Sequence, residues 1–211
     1  MDHRDGNAGV FVKVCGLGSR GDVDAAAAAG ADAVGFVLSR TSVRALAPEK
    51  ARELVAHVPP TVLSVLVVHD MGAVEGARAA EDLGVDVLQL HGRRYAEQDF
   101  RDAAAHFPRL WRATSLSERP DLRVGAYGEE SLLLDSPRAG SGTRWDLSLL
   151  TDTPPRGRWL LAGGLDATNV ADAIHQAHPW GVDVSSGVES APGVKDHTQI
   201  TRFVEAARKA V

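Results

Sequence analysis

The stretch Gly30-Ala31-Asp32-Ala33-Val34-Gly35-Phe36-Val37-Leu38 decides the fold. It follows residues 22–29, an Ala-rich segment that predicts a helix, and Gly30 is the residue type that closes one. From Ala33 to Leu38 no polar side chain falls on either face, which predicts a parallel strand covered on both sides. The passage from helix end to buried strand is echoed at Gly84-Val-Asp86-Val and at Gly181-Val-Asp183-Val. Gly30 and Gly84 are 54 residues apart, and Gly84 and Gly181 are 97 apart. These are about two and four units of roughly 25 residues, the size of a compact β/α unit.

Outward from this stretch the same alternation runs end to end. Short apolar runs predict strands at 10–15, 33–38, 62–68, 85–90, 110–114, 131–135, 159–162 and 182–185. Amphipathic or Ala-rich segments predict helices at 22–29, 48–57, 72–83, 96–106, 167–177 and 196–210. Pro48 opens one of these, and Gly30 and Gly84 follow the last turns of two others. The stretches 117–130 and 143–155 carry a weaker pattern, about one helical turn each. Eight alternations in 211 residues predict an α/β fold of the (β/α)8 TIM-barrel class. Residues 1–211 then form one compact domain, with 1–9 as a flexible N-terminal extension. An open doubly wound sheet is the rival, but it usually has about five or six strands at this length. The strand count favours the barrel.

Composition narrows the class of function. With 44% hydrophobic and 24% charged residues, and no block of like charge, the chain is not of the disordered type. Its 23 basic and 28 acidic residues leave a charge of −5 with no Lys/Arg cluster, which argues against nucleic acid as a partner. No apolar run approaches the roughly 20 residues needed to span a bilayer, so no membrane role is expected. Residues 1–9 lack the apolar stretch of a signal peptide. A single cysteine, Cys15, excludes an internal disulfide and a Cys-rich zinc site, and fits a reducing cytoplasm. The histidines show no metal-ligand spacing, so no metal is expected. A monomer and a homodimer are both compatible with the sequence.

In a barrel, side chains at the C-terminal ends of the strands converge on one mouth. Cys15 ends the first strand, Arg44 lies in the loop after the second, His91 ends the fourth and Asp135 the sixth. Cys15 reads either as a small buried hydrophobe or as a thiolate nucleophile or base, the latter requiring nearby positive charge to lower its pKa. Asp135 follows three leucines, so its protonated form is favoured and it fits a general acid; a turn cap is the plainer alternative. Arg44 is either solvated or poised for a substrate carboxylate, and His91 is either structural or a polar substrate contact. Gly163-Gly164 and Ser185-Ser186-Gly187, after strands seven and eight, together suggest a phosphate cradle, because glycine lets backbone N–H groups approach closely.

Lys13-Val-Cys-Gly-Leu17, Gly30-Ala-Asp-Ala-Val-Gly-Phe36, Gln89-Leu-His-Gly92, Leu132-Leu-Leu-Asp135, Leu161-Ala-Gly-Gly-Leu165, Gly181-Val-Asp-Val-Ser-Ser-Gly-Val-Glu189 and Pro192-Gly-Val-Lys-Asp196 occur here in order. Across about residues 12–205 this resembles the phosphoribosylanthranilate isomerase family of tryptophan biosynthesis. The resemblance implies a (β/α)8 enzyme that needs no cofactor and acts on a small phosphorylated substrate. The implied reaction is the Amadori rearrangement of N-(5-phosphoribosyl)anthranilate to 1-(2-carboxyphenylamino)-1-deoxyribulose 5-phosphate. By the same resemblance Asp135 is the general acid, Cys15 the base and Arg44 the anthranilate contact. His91 and Asp183 match positions near the substrate, and the Gly163-Gly164 and Ser185-Ser186-Gly187 loops hold the phosphate.

The chain departs from the family pattern at Ser42-Val43-Arg44 (usually Ser-Pro-Arg), at His69-Asp70 after the third strand, at Ala139 and at Trp145-Asp146-Leu147. Two other readings stand beside the isomerase. One is a related phosphosugar isomerase, including a bifunctional enzyme of histidine and tryptophan synthesis, against which Cys15 argues because such enzymes use two aspartates. The other is a non-catalytic barrel that binds a phosphorylated metabolite, against which the joint presence of Cys15, Asp135 and Arg44 argues.

Overall fold

The computed structural model describes residues 9–136, 147–150 and 154–210. The expected extension 1–9 lies outside these except for Gly9, as do Ala139, Trp145 and Asp146. Eight parallel strands close a barrel in chain order: β1 (Phe11–Cys15), β2 (Ala33–Leu38), β3 (Leu63–Val68), β4 (Val87–His91), β5 (Leu110–Ser115), β6 (Ser131–Asp135), β7 (Trp159–Leu161) and β8 (Gly181–Val184). β8 pairs back to β1, with Gly181 opposite Phe11 and Asp183 opposite Lys13. The predicted barrel and its strands are therefore present, with ends moved by a residue or two.

The helices among the described residues are α1 (Arg20–Ala28), α2 (Pro48–Val55), α3 (Ala73–Leu83), α4 (Glu97–Ala104), α5 (Val170–Ala177) and α6 (His197–Arg208). Pro48 starts α2, and Gly84 ends α3 in the left-handed region at φ 69°. Between β5 and β6 the chain makes only a 3-10 turn, Leu116–Glu118, and then irregular backbone. Pro120, together with Gly125 and Gly128 at φ 85°, denies that stretch a helix. Another 3-10 turn, Leu147–Leu150, is what is described of the weak stretch 143–155. A short hairpin, β9 (Glu189–Ala191) and β10 (Val194–Lys195), follows β8; it turns through Gly193 at φ 81° and has no counterpart in the sequence reading.

Asp183 falls inside the eighth strand, as the reading of 182–185 expects. The three Gly-x-Asp echoes share a string but not a role. Asp32 and Asp86 stand just before β2 and β4, where their carboxylates accept the N–H groups of Val12 and Ser64, each at 2.8 Å. Gly181 instead opens β8, because α5 is already ended by His178 in the left-handed region at φ 47°. Asp183 therefore lies inside a strand and points into the barrel. There its neighbour is Lys13, not a strand terminus.

Apolar side chains fill two layers, one between the strands and the surrounding helices and one inside the barrel. The barrel floor is plugged by Phe11, stacked on Trp180 at 4.4 Å and edge-on to Trp111 at 6.0 Å. Above that plug the polar side chains of Lys13, Gln89 and Asp183 enter an otherwise apolar interior, and the site begins there.

Candidate active site

A cavity of about 560 Å³ opens at the C-terminal ends of the strands. Cys15, Arg44, His91, Asp135, Gly163, Gly164, Asp183, Ser185 and Ser186 all line it. Residues scattered over most of the chain thus meet at one mouth, as barrel closure requires. Gly187 stands behind the wall: a Cβ there would overlap the Leu165 carbonyl, so glycine is needed to join the β7 and β8 loops.

Lys13 and Cys15 are two apart on β1 and therefore share its inward face. Lys13 is fully buried and donates to Asp183 at 2.8 Å. Burial works against its ammonium, but the charge and hydrogen bond of Asp183 favour it, and the net shift of Lys13 is upward. The Cys15 thiol rests against Gly35, where a Cβ would come within 2.8 Å of Sγ. Burial pushes its pKa up, although the charges of Lys13 and Lys195 oppose the shift. The positive charge expected around Cys15 is present, but desolvation is the larger effect in the unliganded site, so the thiol carries its proton there.

Asp135 ends β6 with a side chain only 13% exposed. Its Oδ1 accepts the Ser136 N–H at 2.7 Å, and its Oδ2 lies 3.7 Å from His91 Nε2. Burial raises this carboxyl to about 6; the Ser136 bond and the Lys13 charge offset only part of that, and the Asp183 charge adds to it. Burial, with the charges of Lys13 and His69, lowers His91 to about 4, so at neutral pH it is an uncharged imidazole. Gly163, at φ 86°, packs directly on Asp135: a Cβ would lie 2.5 Å from Oδ1. The first glycine of the expected phosphate loop thus also makes room for the carboxyl.

Arg44 runs across Gly16, where a Cβ would meet its Cδ at 2.7 Å. Its Nε and Nη2 donate to the two carboxylate oxygens of Glu189 at 2.6 and 2.8 Å. One bidentate edge of the guanidinium is therefore occupied within the protein, and the Nη1 end has no partner among the described residues. Burial alone would raise the Glu189 carboxyl, but hydrogen bonds from Arg44, Lys195 and the Gly193 N–H hold it at about 2. Ser185 donates its hydroxyl to the Cys15 carbonyl at 3.0 Å. The backbone N–H groups of Gly164 and Ser186 donate to no described residue.

Sequence reasoning overlooked Lys13, Gln89, His69, Glu189 and Lys195. Gln89 is buried on the cavity wall with an unpartnered Oε1. His69, also on the wall, is held by Ser39 and Thr41 at 3.2 Å. The signal was available for Lys13 and Gln89, since each is a polar residue in the middle of an otherwise buried strand. Among the described residues no helix is long and apolar enough to cross a membrane.

This mouth holds a raised carboxyl, a thiol and an arginine end around one space, with glycine-rich backbone at one side. The arrangement suits proton transfer on an anionic small molecule. The family model described as N-(5'-phosphoribosyl)anthranilate (PRA) isomerase matches residues 12–206. The crystal structure of TrpF from Jonesia denitrificans is 57% identical, covering 95% of this chain and 98% of that one, with a TM-score of 0.89. N-(5'-phosphoribosyl)anthranilate isomerase of Dechloromonas aromatica (strain RCB) is 42% identical over 94% of this chain and 96% of its own length. A phosphoribosyl anthranilate isomerase solved with reduced 1-(o-carboxyphenylamino)-1-deoxyribulose 5-phosphate is 32% identical, covers 95% and 99% of the two chains, and has a TM-score of 0.82. By fold, site and sequence, the chain belongs to the phosphoribosylanthranilate isomerase family.

Proposed function

We propose that this protein catalyses the Amadori rearrangement of N-(5-phosphoribosyl)anthranilate to 1-(2-carboxyphenylamino)-1-deoxyribulose 5-phosphate, a step of tryptophan biosynthesis. The observation that carries this reading is the placement of Cys15 and Asp135 on one cavity, between the Arg44 end and the Gly163–Gly164 and Ser185–Gly187 loops. The complex of a family member with the reduced product analogue supports the ligand class.

Asp135, raised to about 6, is the general acid. It gives its proton to the furanose ring oxygen; the C1–O bond breaks and the nitrogen lone pair forms a C1=N iminium. The iminium acidifies the C2–H, and the Cys15 thiolate takes that proton to leave an enolamine. Protonation at C1 and loss of the enol proton give the ketone, and the acid and base regain their starting protonation. The reacting fraction of the protein starts with Cys15 already a thiolate, its proton lost to solvent; Cys15 later returns the C2 proton to C1, and the enol proton goes back to Asp135. The substrate's carboxylate and phosphate charges raise Asp135 further and favour its acid form.

Arg44 takes the anthranilate carboxylate with its free Nη1 end, and the N–H groups of Gly164 and Ser186 take the phosphate. His91, uncharged, and Asp183, held by Lys13, line the sugar between them. The test is loss of anthranilate-type fluorescence when purified protein meets freshly generated phosphoribosylanthranilate. Rapid turnover supports the isomerase; a folded protein with no turnover overturns it.

A further inference from the structure

Glu189 is buried at the mouth, its side chain only 4% exposed, yet it does not line the cavity. Four donors converge on it. Oε1 accepts from Arg44 Nε at 2.6 Å and Lys195 Nζ at 2.7 Å; Oε2 accepts from Arg44 Nη2 at 2.8 Å and Gly193 N at 3.2 Å. Lys195 has no exposed side-chain surface, and its remaining hydrogen bonds go to the Ser185 carbonyl and hydroxyl at 2.9 and 3.3 Å. Neither Glu189 nor Lys195 can reach a substrate directly.

We propose that Glu189 is the positioning residue that aims the free end of Arg44 at a carboxylate on the substrate's aromatic ring, and that Lys195 preserves the charge this requires. The proposal rests on the assignment of Arg44 above. Glu189 alone would turn Arg44 into a neutral pair with little pull on a second carboxylate. Burial lowers the Lys195 pKa, but its 2.7 Å bond to the same Glu189 oxygen supports the ammonium; two cations then share one anion and the cluster keeps a net positive charge. The side-on grip also fixes the guanidinium plane, so its opposite edge faces one direction across Gly16. A flexible arginine would have to order itself at the moment of binding.

The test uses two ligands: the reduced product analogue, and the same molecule without its ring carboxylate. Dissociation constants are measured for wild type, Glu189→Gln, Lys195→Met and Arg44→Met. Wild type should prefer the carboxylate ligand by about 10- to 100-fold, the range of a charge-assisted pair. Glu189→Gln adds net positive charge but frees the guanidinium plane, and the lost aim should still reduce that preference by about 10-fold while leaving the carboxyl-free ligand nearly unchanged. Lys195→Met should lower the preference too, because Glu189 then neutralises Arg44. Equal weakening of both ligands in Glu189→Gln, or an unchanged preference, overturns the positioning role. A preference that survives Arg44→Met, or is missing from wild type, instead overturns the Arg44 assignment on which it rests.

Discussion

The two ends of this barrel treat carboxylates in opposite ways. At the N-terminal end Asp32 accepts the Val12 N–H and pairs with Arg208 at 2.7 Å, while Asp86 accepts both the N–H and hydroxyl of Ser64 at 2.8 Å. Each carboxylate there satisfies the backbone donor of a strand's second residue, Val12 in β1 and Ser64 in β3. At the C-terminal end Asp135 has one backbone donor and a neutral imidazole beside it, and burial lifts its pKa to about 6. The lower carboxylates are arranged for stability, and the upper one is held in a state that favours proton transfer at a cost in stability.

The sharpest way to break this contrast is to remove the reactive groups above. Cys15→Ser and Asp135→Asn should each lower kcat by about 10²–10⁴-fold, the usual contribution of a positioned acid or base, while analogue binding persists. Steady-state fluorescence kinetics beside analogue titration checks this; turnover within a few-fold of wild type in either variant removes that residue from the mechanism.

The converse substitution below should move stability and leave the chemistry alone. Asp32→Ala strands the Val12 N–H and removes the carboxylate partner of Arg208, which keeps its bonds to the Val10 and Gly30 carbonyls, and should cost about 1–3 kcal/mol in urea unfolding. Its kcat per folded molecule should match wild type. A large fall in kcat with unchanged unfolding would reverse the division of labour between the two ends.

A subtler expectation concerns the stability of the upper site. The Asp135 pKa is higher in the folded chain than its ordinary 3.8, so the folded state holds the proton more tightly than the unfolded state. The resulting stabilisation is present below about 3.8 and is lost as pH rises through about 6. Asp135→Asn, which cannot ionise, should therefore gain about 1–3 kcal/mol on wild type at pH 8 and much less at pH 4. Thermal unfolding at the two pH values measures the difference, and equal shifts at both would contradict the burial argument.

The smallest effect lies in the pH profile. With Asp135 required as acid and Cys15 as base, kcat/KM should rise towards pH 6, where thiolate is gained while the carboxyl is still protonated. From about 6 up to the raised thiol value the two titrations cancel, and the profile is flat. A tenfold rise per pH unit continuing through pH 8 would show that Asp135 does not titrate near 6.

Much of this contrast was legible before any coordinates. Strand ends are local features, so Cys15, His91 and Asp135 were placed at the mouth by apolar runs that stop at them. Their protonation states were less accessible. A catalytic Cys15 required nearby positive charge to lower its pKa; the cations are there, but burial outweighs them and the shift is upward. Asp183 was legible as a residue of the eighth strand, read at 182–185 and found at Gly181–Val184, but its partner Lys13 was not. That partner was set by the pairing of β8 with β1, which puts Asp183 opposite Lys13. Glu189 was visible only as the last letter of a motif, because nothing local says which arginine it will meet.

The sequence by itself determined the alternation of buried strands and amphipathic helices, the barrel class, and which residue types would stand at strand ends. Those properties depend on periodicity over a few residues and on burial of apolar side chains, both carried by neighbours in the chain. Only the tertiary structure decided the partners. Lys13 meets Asp183 across 170 positions, and Arg44 meets Glu189 across 145. Such pairs exist because closing the barrel brings β8 against β1 and folds the β9–β10 hairpin over the β2 loop. Their charge states follow from desolvation, which exists only once the interior is assembled.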